Sequence, residues 1–227
     1  MKYVLGIDLG TSATKTVLFD EKGNVVASAS REYPLSQPKN GWAEQEPTDW
    51  YNAGIETIAE VVSTSGIDKD NIVSLGISGQ MHGLVMLDEN CEVLRPSIIW
   101  CDQRTGKECD ELTEKLTREK LIEITANPAL TGFTASKILW VKNNEPEIFE
   151  KCRHILLPKD YLRFRLTGDF ATEVSDASGM QILDVPNRCW SQVMIDALGI
   201  KEEYLPKVYE SPEVTGKINK ETAEKTG

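Results

Sequence analysis

The chain predicts an α/β domain built on a mixed β-sheet. Three observations carry that expectation. A short apolar run, Tyr3 to Ile7, opens the chain and suits a buried strand. Two β-prone runs, Thr16 to Phe19 and Val25 to Ser28, flank the polar, glycine-containing turn Asp20 to Asn24 and read as a hairpin. A helix-periodic stretch and another strand-like run follow. Three strands, a helix and a strand in that order do not make a simple βαβ array.

Each later element has its own warrant. Residues 33–46 read as a loop, with Pro34, Pro38 and Gly41. Pro47 opens a helix, where its missing N–H costs nothing. Ile55, Ile58, Ala59 and Val62 fall at i, i+3, i+4 and i+7 and give that helix an apolar face. Ile72 to Ile77 reads as a further buried strand, ended by Ser78 to Gly83. Val85 to Leu87 and Glu92 to Leu94 suggest a second hairpin across Asp88, Glu89 and Asn90. Beyond this the pattern turns helical. Ala135, Ile138 and Leu139 form a stripe. One helix is expected over Pro158 to Leu166, ended near Gly168, and another over Trp190 to Leu198, ended by Gly199. No internal repeat or low-complexity tract interrupts the chain. Glu221 to Gly227 reads as a helix just begun, so the expectation is a piece of something longer.

Composition narrows the function classes. The 227 residues are 40% hydrophobic and 27% charged, an ordinary globular profile that fits one domain. The 36 acidic residues outnumber the 25 basic ones, for a net charge of −11. That balance disfavours a partner made of nucleic acid. Five cysteines, none in a C-x-x-C pair, suggest a reducing compartment. His82 and His154 are the only histidines and neither clusters with cysteine, which disfavours a zinc site. The opening apolar run meets Asp8 too soon for a signal peptide. No stretch approaches the ~20 apolar residues of a membrane span. A cytoplasmic protein with no membrane partner is the expectation.

Three segments can carry chemistry. In the first, Asp8 ends a strand and meets a tight turn at Gly10. Backbone N–H groups in such a turn can form an anion nest, and the Thr11 and Ser12 hydroxyls and the Lys15 cation suit phosphate oxygens. Asp8 can hold magnesium, directly or through water. The plainer alternative is a polar hairpin turn. Neither a Walker sequence nor Gly-x-Gly-x-x-Gly is present. In the second segment, Gln80, Met81 and His82 follow a strand, where α/β sheets tend to bind ligands. Gln80 and His82 can bond hydroxyls and Met81 can form a wall. A structural histidine is the alternative. In the third, Trp100 beside Asp102 can offer a sugar platform. The alternative is a core tryptophan next to a helix-capping aspartate.

Taken together these segments resemble the N-terminal domain of the FGGY carbohydrate kinases, and within that family its xylulose-phosphorylating branch. The residues that carry the resemblance are Gly6-Ile7-Asp8-Leu9-Gly10-Thr11-Ser12, Gly79-Gln80-Met81-His82-Gly83 and Ile99-Trp100-Cys101-Asp102-Gln103-Arg104. Gly132-Phe133-Thr134-Ala135-Ser136-Lys137, Leu157-Pro158-Lys159-Asp160-Tyr161-Leu162-Arg163 and Ser175-Asp176-Ala177-Ser178-Gly179 extend it. Asp-x-Gly-Thr alone is common to the actin, hexokinase and Hsp70 superfamily, whereas Gln-Met-His-Gly is much more specific. Glycerol kinases place Arg-Glu after the glutamine. Cys101 departs from the pattern, since that branch often carries asparagine there.

The resemblance implies an RNase-H-like fold of the actin, hexokinase and Hsp70 superfamily, with a mixed sheet flanked by helices. It implies that residues 1–227 are the sugar-binding half of a kinase whose second, nucleotide-side domain is absent from this chain. The cofactors implied are ATP and Mg2+, and the substrate a ketopentose, D-xylulose, phosphorylated at O5. By similarity, Met81 and His82 contact the sugar, and Gln80 and Trp100 line its pocket. Asp8 stands by the magnesium and the transferred phosphate, while Gly10, Thr11, Ser12 and Lys15 face the β- and γ-phosphates. The family's general base, an aspartate in a Gly-Gly-Asp segment, is not found in these residues, so the chain alone is expected to turn over little or nothing. The family allows a homodimer of the full-length protein. The competing expectations are a sister kinase acting on ribulose, gluconate, rhamnulose, erythritol or glycerol, and a non-catalytic actin-like module that binds sugar or nucleotide.

Overall fold

The computed structural model describes residues 1–227. Strands β1 (Tyr3–Leu9), β2 (Ala13–Asp20) and β3 (Val25–Glu32) form an antiparallel meander. The β2–β3 turn is held by the Asp20 carboxylate, which accepts from the N–H groups of Lys22 and Asn24, both at 2.9 Å. A two-residue strand, β4 (Glu44–Gln45), breaks the expected loop just before helix α1 (Pro47–Thr64). Strand β5 (Ile72–Gly79) then lies parallel to β1, and the sheet order is β3-β2-β1-β5. The mixed sheet is as expected.

Two expectations about this half are corrected. The buried face of α1 runs through Trp50, Ala53, Gly54, Thr57, Ile58 and Val61, while Ile55, Ala59 and Val62 are only half-buried. Small and hydroxylated residues lie innermost. A Cβ on Gly54 would come within 2.9 Å of Leu162, and the Thr57 hydroxyl bonds that of Thr16 at 2.8 Å. Strand β5 is not buried throughout. It is a sheet edge, with Val73 55% exposed, and the sheet face opposite α1 is bare.

The chain continues through β6 (Val85–Leu87) and β7 (Ser97–Ile98). It then enters α2 (Gly106–Leu116), α3 (Arg118–Thr125), α4 (Thr134–Asn144) and α5 (Pro146–Lys151) and returns as β8 (His154–Leu156). Strand β7 pairs with β4, and β6 pairs antiparallel with β8 in the register Val85↔Leu156 and Leu87↔His154. The second expected hairpin is therefore half realised. Its turn closes through Asp88 N–H to Glu92 at 3.0 Å, but only one bridge, Leu87 to Val93, follows. The distant strand β8 supplies the longer pairing, along the other edge of β6.

Helix α6 (Pro158–Thr167), strand β9 (Ala171–Glu173) and helix α7 (Val174–Ser178) follow. Strands β10 (Leu183–Asp184) and β11 (Cys189–Trp190) pair with each other, and helix α8 (Gln192–Leu198) follows. Strand β12 (Lys207–Tyr209) lies parallel to β9, and helix α9 (Lys220–Thr226) packs near α1. Helices α6 and α8 end where expected, at Gly168 (φ 88°) and Gly199 (φ 67°), conformations glycine adopts at no steric cost. Trp190 is a strand residue. Helix α8 begins after Ser191, whose hydroxyl accepts from Met194 N–H.

Two hydrophobic cores result. One lies under the sheet and includes Leu5, Ile7, Leu9, Leu18, Trp50 and Val61. The other lies among the helices and includes Leu112, Leu121, Ile138, Met180 and Met194. The β6–β8 pair is the wall between them. Val85, Leu87 and Leu156 face the sheet core, and Leu84, Met86, Ile155 and Leu157 face the helical core. No helix is long and apolar enough to cross a membrane.

Candidate functional site

Two loops leave the carboxyl ends of the parallel strands β1 and β5. In register, Asp8 stands beside Ser78 and Leu9 beside Gly79, and Gln80 N–H donates to the Leu9 carbonyl at 2.7 Å. Carboxyl ends of adjacent parallel strands are where α/β folds place ligands.

The first loop is a tight turn in which Gly10 N–H donates to the Ala13 carbonyl at 3.0 Å. It is pinned from three sides. The Tyr33 hydroxyl donates to the Gly10 carbonyl, Gln45 Nε2 to the Thr11 carbonyl at 2.7 Å, and Trp100 Nε1 to the Thr11 hydroxyl at 3.0 Å. Every carbonyl from Gly10 to Ser12 is thus engaged, since Ser12 accepts from Tyr33 N–H at 3.3 Å. The N–H groups of Thr11 and Ser12 have no acceptor within the protein. Asp8 and its cross-strand partner Lys15 are both exposed and make no ion pair. They border a shallow depression of about 500 Å³ on the bare sheet face, with Gly6, Val17, Gly76 and Ser78. Unpaired N–H groups, a free ammonium and one carboxylate are the makings of an anion and cation site.

The second loop carries Gln80, Met81 and His82. Gln80 is buried and donates through Nε2 to Gln45 Oε1 at 2.9 Å; Trp50 Nε1 reaches the same oxygen at 3.3 Å. One amide, Gln45, therefore ties the two loops together. Met81 is 50% exposed and available to a ligand. His82 has a left-handed backbone, φ 62°, and its carbonyl accepts from Lys137 Nζ at 2.8 Å and the Thr134 hydroxyl at 3.1 Å. Burial pushes the Lys137 ammonium down to about 7, against the pull of Asp102. Burial, and then the Lys137 cation, also lowers the His82 imidazole.

Beside this loop the first turn of α6 places Lys159, whose ammonium meets Glu173 at 2.9 Å and Asp176 at 3.0 Å. Burial opposes ionisation of Glu173, but hydrogen bonds from Ser211, Lys159 and Asp176 N–H win and hold it at about 2. Asp160 is fully buried, and burial raises it to about 7.

Trp100 stands against the first loop through its bond to Thr11. It is 45% exposed, so the core-tryptophan alternative is excluded. Asp102 does not cap α2, whose N-cap is Thr105. It is fully buried and accepts from Ala43 N–H at 2.7 Å and from Arg104. Arg104 reaches Glu44 at 2.7 Å, and Glu44 and Glu145 share Arg95, at 2.7 and 2.6 Å. The Arg104 guanidinium lies 3.7 Å over the Trp42 ring. This buried ion chain anchors the segment that presents Trp100.

The structure thus brings Asp8, Gly10, Thr11, Ser12, Lys15, Gln80, Met81, His82 and Trp100 to one end of the sheet. Sequence reasoning missed Tyr33, Gln45 and the function of Lys137. A lysine that is the sole charge within the run Thr134 to Val141 was the available signal, because that run is buried throughout.

The description "FGGY family of carbohydrate kinases, N-terminal domain" matches residues 3–227. The chain is 48% identical to the xylulose kinase of Bacillus subtilis (strain 168) over 227 residues, covering 100% of the chain and 45% of that protein. Among solved structures it superposes on ligand-bound xylulose kinase from Lactobacillus acidophilus with a TM-score of 0.93 at 35% identity, covering 100% of this chain and 46% of that one. Gluconate kinase from Lactobacillus acidophilus gives the same TM-score, 0.93, at 35% identity, covering 99% of this chain and 45% of that one. The chain therefore spans a little under half the length of the proteins it matches.

Proposed function

Because the chain belongs to the FGGY family of carbohydrate kinases, we propose that it forms the sugar-side half of a kinase that moves the γ-phosphoryl group of ATP to D-xylulose. One observation carries the reading. The loop with acceptor-free N–H groups at Thr11 and Ser12, flanked by Asp8 and Lys15, is hydrogen-bonded through Thr11 to Trp100 and through Gln45 to Gln80. An anion cradle and a wall suited to hydroxyls are one connected unit.

The residues fit Mg-ATP at its phosphate end. Mg2+ commonly takes one or two carboxylates and keeps waters and phosphate oxygens as its other ligands, so the single carboxylate of Asp8 suffices. Bound Mg-ATP supplies the phosphoryl group and neutralises charge on it. The Thr11 and Ser12 N–H groups and Lys15 orient the β- and γ-phosphate oxygens. Trp100 and Met81 offer apolar faces to the sugar, and Gln80 and His82 fix its hydroxyls. The reacting hydroxyl must lose a proton, and a positioned base contributes ~10²–10⁴-fold. In this reading that base and the adenosine pocket lie in the remaining length shared by the relatives.

The test is ADP release with Mg-ATP and D-xylulose, D-ribulose, D-gluconate or glycerol. It is run on this chain and on a protein in which the chain continues into the remaining length of the Bacillus subtilis relative. The expectation is no turnover from the chain and xylulose-dependent turnover from the longer protein. Turnover by the chain alone overturns the half-site reading. A sister sugar is the second reading, favoured by the equal TM-score of the gluconate kinase, and preference for gluconate would replace xylulose.

A further inference from the structure

His82 is held more completely than a ligand contact requires. Its Nδ1 lies 3.0 Å from the Gly179 carbonyl oxygen. A carbonyl oxygen only accepts, so Nδ1 carries the proton. The ring meets Phe133 edge-on, with centroids 4.7 Å apart at 88°. Its backbone carbonyl is gripped by Lys137, whose second bond goes to the Gly132 carbonyl at 2.6 Å. Gly179 is the position against which the ring closes: a Cβ there would lie 2.1 Å from His82 Cε1 and 2.2 Å from Nδ1. Nε2 alone is left, with no protein partner and open to solvent.

We infer that Lys137 and Gly179 are positioning residues that present His82 as an Nδ1–H imidazole, so that Nε2 accepts a hydroxyl proton of the bound sugar. This rests on the sugar-site reading above. It deepens that reading by fixing the sense of the contact. A sugar hydroxyl donates into Nε2, whereas a carbonyl or ether oxygen at the same point would set lone pair against lone pair. The acceptor role needs a neutral ring. The charged groups facing it are Lys137 from α4, which disfavours a second proton, and Asp176 from α7, which favours one. Lys159, 3.0 Å from Asp176, offsets the latter. Burial sides with Lys137, so the ring takes a second proton less readily than a free histidine.

The test is long-range 1H–15N NMR on the chain with 15N-labelled histidine, which separates the two tautomers without any ligand. The chain has two histidines, and His154→Gln assigns them. The expected spectrum is protonated Nδ1 and unprotonated Nε2 at His82, with Nε2 alone shifting as D-xylulose is added. A protonated Nε2, or sugar binding that leaves Nε2 unmoved, overturns the inference. Lys137→Met should mix the tautomers and raise the His82 pKa. Should that variant not fold, Gly179→Ala decides. Gly179 has φ −83°, so alanine is unstrained there and acts only by pushing the ring. It should mix the tautomers and weaken D-xylulose binding at least tenfold in a protein that still folds, and wild-type affinity in Gly179→Ala overturns the inference. If no pentulose shifts Nε2 or any neighbouring signal, the sugar reading fails and takes the hydroxyl contact with it. The tautomer and its response to Gly179→Ala still decide how the ring is held.

Discussion

The sheet half and the helical half hold their polar groups in opposite ways. Under the sheet the buried polar groups are mainly threonine hydroxyls such as Thr16 and Thr57, with one buried carboxyl, Asp160, on α6, and the charges of the site, Asp8 and Lys15, stand exposed on the open face. In the helical half the charges are inside. Lys137, Asp102 and Arg104 are buried, and each is matched by hydrogen bonds. The difference separates two tasks. Exposed charges and free N–H groups stay available to a charged ligand. Buried, fully bonded charges cannot serve a ligand, but they fix the backbone that carries Trp100 and His82. Specificity for a sugar's hydroxyl pattern needs that rigidity more than it needs charge.

The sharpest way to break this contrast is to unbalance the buried ions. Asp102→Asn leaves Arg104 short of a partner and should cost about 3–5 kcal/mol of stability, measured by urea unfolding. Charge removal at exposed Lys15 (Lys15→Met) should leave stability nearly unchanged while lowering affinity for nucleotide phosphate. A comparable loss in both would erase the contrast. Next come the wall residues. Leu87→Ala and Met86→Ala empty opposite cores and should each cost about 2–5 kcal/mol. Because one strand serves both cores, calorimetry should still show a single transition; two transitions would make the halves independent. Gln45→Leu should cost about 1–3 kcal/mol, since it strands the Gln80 amide and frees the Thr11 loop. Phosphate and sugar binding should weaken together, where a purely local role would weaken one.

The last effect is a pH dependence. Asp160 titrates near 7 in the folded state and at its ordinary 3.8 when unfolded. The folded state therefore holds its proton more tightly, and this group's contribution is full below about 3.8 and lost as pH rises through about 7. Asp160→Asn cannot ionise. Its Tm relative to the parent should rise between pH 4 and pH 8, by about 2–4 °C for each kcal/mol regained. A difference that is flat with pH would show that Asp160 carries no such strain.

Legibility in the sequence follows the same divide. The β1–β3 meander and the turn at Gly10 are built from neighbours in the chain, so alternation and turn residues exposed them. The same held for α6 and α8, whose glycine stops are local signals. The partner of β6 is distant, and a run of four apolar residues gives no clue to which strand will cover it. The inner face of α1 was misjudged because its closest contacts use Gly54 and Thr57, which carry little hydrophobic signal. At the site, the candidate side chains are legible from their place after strands. The residues that hold them are not. Gln45 sits in a proline-flanked segment with no period, and a lysine on a helix reads as solvated until the packing around Lys137 is seen.

The shared wall also sets an order of events. The meander can close as soon as its own residues exist, because its turns are short and its contacts sequential. Strand β6 must wait for β8, and everything from Asp88 to Arg153 lies between them. Until that long loop shuts, both cores lack one side. On a ribosome, the sheet core would therefore stand half-dressed and the apolar strand β6 uncovered until Leu156 has emerged, and that interval is when the nascent protein most needs a chaperone.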